Sequence, residues 1–182
     1  MPNELYFVDK LPVKKPLSVD DIVEINPQDP WITKSEGNLC VLFASNYLDM
    51  INYLDCDQSE LSSLIEDING FRAYFIDGLQ KDSRGGMEFH RVRKEILFVM
   101  QGSVHLECED VYRNKKEFAL ESKKGIFIPP FILHSYDILK DDTKLLVFAN
   151  TIYNSNFPQT KDTYLKEVFE RLQKKLQKLD IY

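Results

Sequence analysis

From Gly70 onward the chain falls into short apolar or alternating segments, each closed by turn-forming residues: 71–76, 87–92, 95–101, 103–108, 117–120, 125–128, 133–139 and 144–151. Short strands at such regular intervals, with no helical stretch between them, predict an all-β sandwich or barrel. Gly102 and Ser103 mark a tight turn between two of them, and Glu109-Asp110 and Asn114 to Lys116 mark looser ones. After Pro158 the period changes. Leu165, Val168, Phe169, Leu172, Leu176 and Leu179 fall on one helical face, which predicts a C-terminal amphipathic helix over 158–182. Its stripe either packs on its own barrel or pairs with a second copy. The polar face mixes acids with bases, which argues against a membrane-surface helix.

The first forty residues read differently. They hold Pro2, Pro12, Pro16, Pro27 and Pro30, a density that suits an extended N-terminal arm over 1–34, with one helical turn from Val19 to Ile25 capped by Ser18. Gly37 to Ala44 reads as a strand. Asn46 to Asp67 has no clean period and is expected to be a connecting excursion, with a turn of helix over Ser59 to Ile65. The main domain is accordingly placed at 35–157.

Composition narrows the classes. At 182 residues the chain suits one compact unit with terminal extensions. A net charge of −6, with 43% hydrophobic and 29% charged residues, describes a mildly acidic globular protein and argues against nucleic acid as a partner. No apolar run approaches the ~20 residues that span a bilayer. Met1-Pro2-Asn3-Glu4 lacks the features of a signal peptide, so a cytoplasmic protein is expected. Cys40, Cys56 and Cys108 are odd in number and form no CxxC pair; reduced, packed thiols are expected.

The candidate chemistry centres on two of the three histidines. Residues two apart in a strand share a face, so Glu88 and His90 are expected to point together, with Glu95 opening the next strand. The run Glu88-x-His90, Glu95, Gly102 resembles the first motif of the cupins, G-x5-H-x-H-x3,4-E-x6-G, with Glu88 at the first histidine. Gly125 to His134, through Pro129-Pro130, is similar to the second motif, with Phe131 at its internal glycine. Several segments resemble one cupin family, the WxcM-like sugar 3,4-ketoisomerases: Phe71 to Phe75, Arg84 to His90, Met100 to Ser103, Gly125 to His134, and Leu145 to Asn150 with Tyr153. The likeness spans about residues 35–155. It departs from the family pattern at Glu88, at Arg91 in place of lysine, at Glu95 in place of glutamine, at Gly85-Gly86, where one residue is inserted, and at Asn154 to Phe157.

The resemblance implies a cupin jelly-roll barrel of two antiparallel sheets, a homodimer, and conversion of a dTDP-linked 4-keto-6-deoxyhexose to its 3-keto isomer for polysaccharide synthesis. That reaction passes through an enediol and needs an acid/base pair, with no mandatory cofactor. His90 is the expected base, His134 its partner, Tyr74 a phenol donor to the enolate oxygen, and Glu88 the stand-in for the missing histidine. Arg72 suits a pyrophosphate, and Arg84 either anchors its glycine-rich loop or touches substrate. Two alternatives stand beside this reading. Glu88, His90, Glu95 and His134 form a donor set for a divalent transition metal, and a sugar-binding cupin without turnover would also fit. His105, outside both motifs, is expected to be structural or exposed.

Overall fold

The computed structural model describes residues 10–57, 59–60, 68–153 and 161–179. Alternation along the chain is realised as strands β1 (Val23–Ile25), β2 (Trp31–Ile32), β3 (Asn38–Leu39), β4 (Asn69–Leu79), β5 (Arg84–Phe89), β6 (Glu95–Gln101), β7 (Ser103–Glu109), β8 (Lys115–Glu121), β9 (Gly125–Ile128), β10 (Leu133–Ile138), β11 (Thr143–Thr151) and β12 (Tyr164–Leu165). Helix α1 (Tyr47–Leu54) precedes β4, and helix α2 (Lys166–Lys178) follows β12.

Two five-stranded sheets form the body, in the orders β1-β9-β6-β11-β4 and β12-β5-β10-β7-β8; β2 and β3 make a separate hairpin. The pairings are antiparallel, so the architecture is the jelly roll that the strand pattern and motifs predict. Inward residues of both sheets, among them Leu97, Val99, Leu106, Leu120, Ile126, Ile138 and Leu145, fill the space between them. The Gly102 turn needs its glycine: φ is +84°, and a Cβ there would strike Thr143.

The arm is more integrated than its proline content suggests. Ser18 does cap a turn, but the helical turn ends at Asp21, and Val23–Ile25 leaves it as an edge strand on β9. Val19 and Ile22 explain the change, since both are buried in the main core and draw the chain onto the sheet. The strand expected over 37–44 is reduced to Asn38–Leu39, paired with Trp31–Ile32; Phe43 instead packs its ring on Phe98 and Phe148. Helix α1 occupies part of the region read as a connecting excursion, capped by the Asn46 side chain, which accepts from the Asp49 N–H. Of the turn of helix expected over Ser59 to Ile65, residues 61–65 lie outside the described residues.

At the C-terminus the helix starts at Lys166, later than expected, because Tyr164–Leu165 first pairs with Phe89 and Glu88 as β12. Residues 154–160 and 180–182 lie outside the described residues. Val168, Phe169, Leu172 and Leu176 bury against Phe89, Phe131 and Leu133, so the stripe packs on its own barrel. Leu165 and Leu179, assigned to the same stripe, are exposed. Cys40, Cys56 and Cys108 are free thiols, and burial pushes Cys108 up to about 12. Among the described residues no helix is long and apolar enough to cross a membrane.

Candidate active site

Strand β4 alternates about the sheet, so Arg72 and Tyr74 turn to the inner side while Phe71 and Phe75 face out. Across the barrel, β10 pairs His134 with Glu88 but Ser135 with Gly86, which leaves Met87 as an extra residue at φ +67°. Met87 is therefore a β-bulge, which re-aims Glu88. The strand expected over 87–92 is displaced: β5 ends at Phe89, and His90 begins a turn. The reason lies downstream. The Asp162 carboxylate accepts the backbone N–H groups of Arg91 at 3.0 Å and of Val92 and Arg93 at 2.8 Å each, which removes all three from any sheet ladder.

The turn before β10 shows how the second motif works without its glycine. Phe131 takes φ +62°, a left-handed backbone that costs a bulky residue about 1–3 kcal/mol. Its ring is buried between Phe89, at 6.4 Å, and the Arg91 guanidinium, at 5.0 Å, and its N–H donates to the His90 carbonyl at 2.7 Å. Packing therefore offsets the strain and ties the two motif turns together.

The two imidazoles converge on one carboxylate. His90 Nε2 lies 3.5 Å from Glu95 Oε1, and His134 Nε2 lies 3.6 Å from Glu95 Oε2. Tyr74 donates its hydroxyl to Glu95 Oε1 at 2.9 Å, and Arg93 Nη1 reaches the same oxygen at 3.3 Å and His90 Nε2 at 3.4 Å. Both Nδ1 atoms face backbone carbonyls, of Asp162 at 2.5 Å for His90 and of Ile132 at 3.1 Å for His134. A carbonyl can only accept, so each Nδ1 carries a proton, and a ring in its neutral form has its lone pair on Nε2. His90 and His134 are only 3% and 5% exposed.

The electrostatics follow from this crowding. Burial works to raise the Glu95 pKa, but His90, His134 and Arg93 outweigh it and hold the carboxyl well below its usual range. Burial lowers the His134 pKa more than the attraction of Glu95 raises it, and the neighbouring His90 adds to the lowering. Burial and Glu95 push the Tyr74 hydroxyl up, so the phenol keeps its proton at neutral pH.

Beside this cluster opens a cavity of about 440 Å³ lined by Arg72, Tyr74, Glu88, Arg93, Tyr153, Lys161 and Thr163. Three cations against one carboxylate suit an anionic ligand. Arg72 Nε and Arg93 Nε are buried without a hydrogen-bond partner among the described residues, and Arg72 stacks over the Tyr74 ring at 5.2 Å. Burial and then the Arg93 charge lower the Arg72 pKa, a cost that a bound anion would relieve.

Of the residues picked from sequence, Glu88, His90, Glu95, His134, Tyr74 and Arg72 come together here. Arg84 sits elsewhere, at the other end of β5, where it pairs with Glu107 and Asp137 and donates to Ser135 Oγ at 2.6 Å. His105 is half-exposed and lies 3.2 Å from Glu117. Arg93, Lys161, Asp162 and Thr163 were not singled out from sequence. A signal for Arg93 was available, since it stands two residues before Glu95 and leads a charge into an otherwise apolar strand. As for a metal, donor atoms of Glu88, His90 and His134 lie within 4.8 Å of one another. The Arg93 guanidinium, 3.4 Å from His90 Nε2, opposes a second cation there.

A model of the family described as WxcM-like, C-terminal matches residues 67–168. Among solved structures, a 3,4-ketoisomerase from Helicobacter canadensis is 22% identical, with a TM-score of 0.56 over 85% of this chain and 96% of that one. The WlaRB TDP-quinovose 3,4-ketoisomerase from Campylobacter jejuni is 18% identical, with a TM-score of 0.57 over 85% and 99%. QdtA from Thermoanaerobacterium thermosaccharolyticum, a sugar 3,4-ketoisomerase solved in complex with TDP, is 18% identical, with a TM-score of 0.56 over 86% and 98%. At these identities the likeness is one of fold. No curated protein sequence matches the chain.

Proposed function

This chain belongs to the WxcM-like, C-terminal family, and from that premise we propose that it isomerises a dTDP-linked 4-keto-6-deoxyhexose to the 3-keto sugar. The observation that carries the reading is that Tyr74, which lines a cavity with Arg72, Arg93 and Lys161, is bonded to Glu95, on which His90 and His134 converge. Two arginine Nε–H groups without partners among the described residues fit a pyrophosphate, and the buried acid/base array fits proton transfer next to a ketone.

Glu88 and Tyr74 line the cavity, whereas His90 and His134 are buried behind it. The geometry therefore supports a division of labour. Glu88 meets the hydrogen on carbon 3 and passes it to His90 Nε2, while Tyr74 donates to the ketone oxygen as the enediol forms. The reverse transfers deliver the proton to carbon 4 and return the hydroxyl proton of carbon 3 to Tyr74. Atoms and electrons balance: one hydrogen moves from C3 to C4 and one from O3 to O4, with no oxidant and no cofactor. His134 and Glu95 hold the charge of the array steady.

Arg84, engaged by Glu107 and Asp137, serves in this scheme as the anchor of its loop. The homodimer belongs to the same proposal, as does a cytoplasmic role in supplying sugars for polysaccharide. The test is incubation with dTDP-4-keto-6-deoxyglucose and NMR of the product. A 3-keto sugar supports the reading; unchanged substrate that stays bound would instead make the chain a sugar-binding cupin. The Glu88, His90 and His134 donors favour a second reading, a metal site, which elemental analysis decides. Near-stoichiometric metal, lost in His90→Ala, would displace the metal-free route.

A further inference from the structure

The segment 161–163 does more than lead into α2. β12 lays Tyr164 against Phe89 and Leu165 against Glu88, and this short ladder brings Asp162 over the turn that carries His90. Asp162 is 5% exposed and spends every acceptor it has on that turn. Its Oδ1 takes the N–H of Arg91, its Oδ2 takes those of Val92 and Arg93, and its own carbonyl takes His90 Nδ1 at 2.5 Å. Next to it, Thr163 Oγ1 accepts from Arg93 Nη2 at 3.2 Å. Arg91, Val92 and Arg93 are buried, so without the carboxylate three consecutive N–H groups would be left unsatisfied.

We infer that Asp162 is the positioning residue of this site: its carboxylate clamps the 91–93 backbone and so holds its own carbonyl on His90 Nδ1. His90 is then confined to the tautomer whose lone pair lies on Nε2, the atom facing Glu95 and Arg93. Two contacts from one residue act together. The side chain sets the distance between the two segments, and the main chain uses that distance to choose the tautomer. Asp162 touches no substrate in this scheme and acts through His90. The catalytic consequence rests on the isomerase reading; the tautomer does not.

The test uses the full chain with ¹⁵N-labelled histidine and long-range ¹H–¹⁵N correlation, which reports which ring nitrogen bears the proton. In the wild type His90 should be protonated on Nδ1, with Nε2 unprotonated when the ring is neutral. Asp162→Ala should give a mixture containing the Nε2–H form and lower kcat by about 10²-fold, with KM changed by less than about 3-fold. Asp162→Asn, which keeps the size and one acceptor oxygen, should fall between the two and serves where the alanine variant does not fold. A neutral wild-type His90 in the Nε2–H form overturns the inference, and so do variants that keep both the wild-type tautomer and kcat. If the wild type turns over no keto sugar while the tautomer still shifts in the variants, the positioning role stands and the isomerase reading falls.

Discussion

At the scale of single residues, the site is built by satisfying acceptors and donors in a place that excludes water. His90 and His134 are fixed by backbone carbonyls on one side and share Glu95 on the other. A consequence for stability follows from His134. Burial lowers its folded pKa, so below the ordinary histidine value near ~6.5 the unfolded chain binds a proton that the folded chain does not. Stability therefore rises with pH through that window, by at most about 1.4 kcal/mol per pH unit for one site. Glu95, depressed in the folded state, adds a second loss as pH falls below the ordinary carboxylate range. Urea unfolding between pH 5 and pH 8 checks the first limb: the midpoint should rise, and His134→Gln should flatten the slope. An equal slope in the variant would place the titrating group elsewhere.

At the scale of elements, α2 fastens the site from below. Phe169 is fully buried and contacts the Phe89 ring at 5.0 Å, one residue from His90. Phe169→Ala should cost about 3–5 kcal/mol in denaturant unfolding. A loss under 1 kcal/mol would mean that the helix undocks without consequence. The same scale shows what was legible in the sequence. Strands β6, β7, β9, β10 and β11 lie within a residue or two of their expected limits, because apolar runs bounded by turn residues have few other ways to fold. Helix α1 was missed although Tyr47, Met50, Ile51 and Leu54 stand at helical spacing behind the Asn46 cap: the stripe is short, Leu48 and Tyr53 beside it blur the period, and none of its residues is buried. The end of β5 was missed because its cause, the Asp162 carboxylate, lies about seventy residues away. Motif spacing found both histidines and both glutamates. It could not find Asp162 or Lys161, whose roles arise from the pairing of β12 with β5.

At the scale of the whole molecule, the outer strands of the two large sheets are β1 and β4 in one and β12 and β8 in the other. Of these β4 is the longest, and Phe71 and Phe75 stand 54% and 52% exposed on its outer side, with Phe71 stacked on Phe148 at 5.7 Å. Long edge strands with exposed aromatics are places where chains pair. For the proposed homodimer, sedimentation should give two chains per particle, and Phe71→Glu with Phe75→Glu should give one. A wild-type monomer would remove the pairing.

The proposed isomerase moves a proton beside a ketone. The most direct measurement is incubation of dTDP-4-keto-6-deoxyglucose with the wild-type chain in D₂O, followed by NMR. Deuterium at the carbons of the enediol and a 3-keto product should appear with the wild type and be lost in Glu88→Gln. A sugar that keeps all its protium and its 4-keto group after prolonged incubation would contradict the central claim.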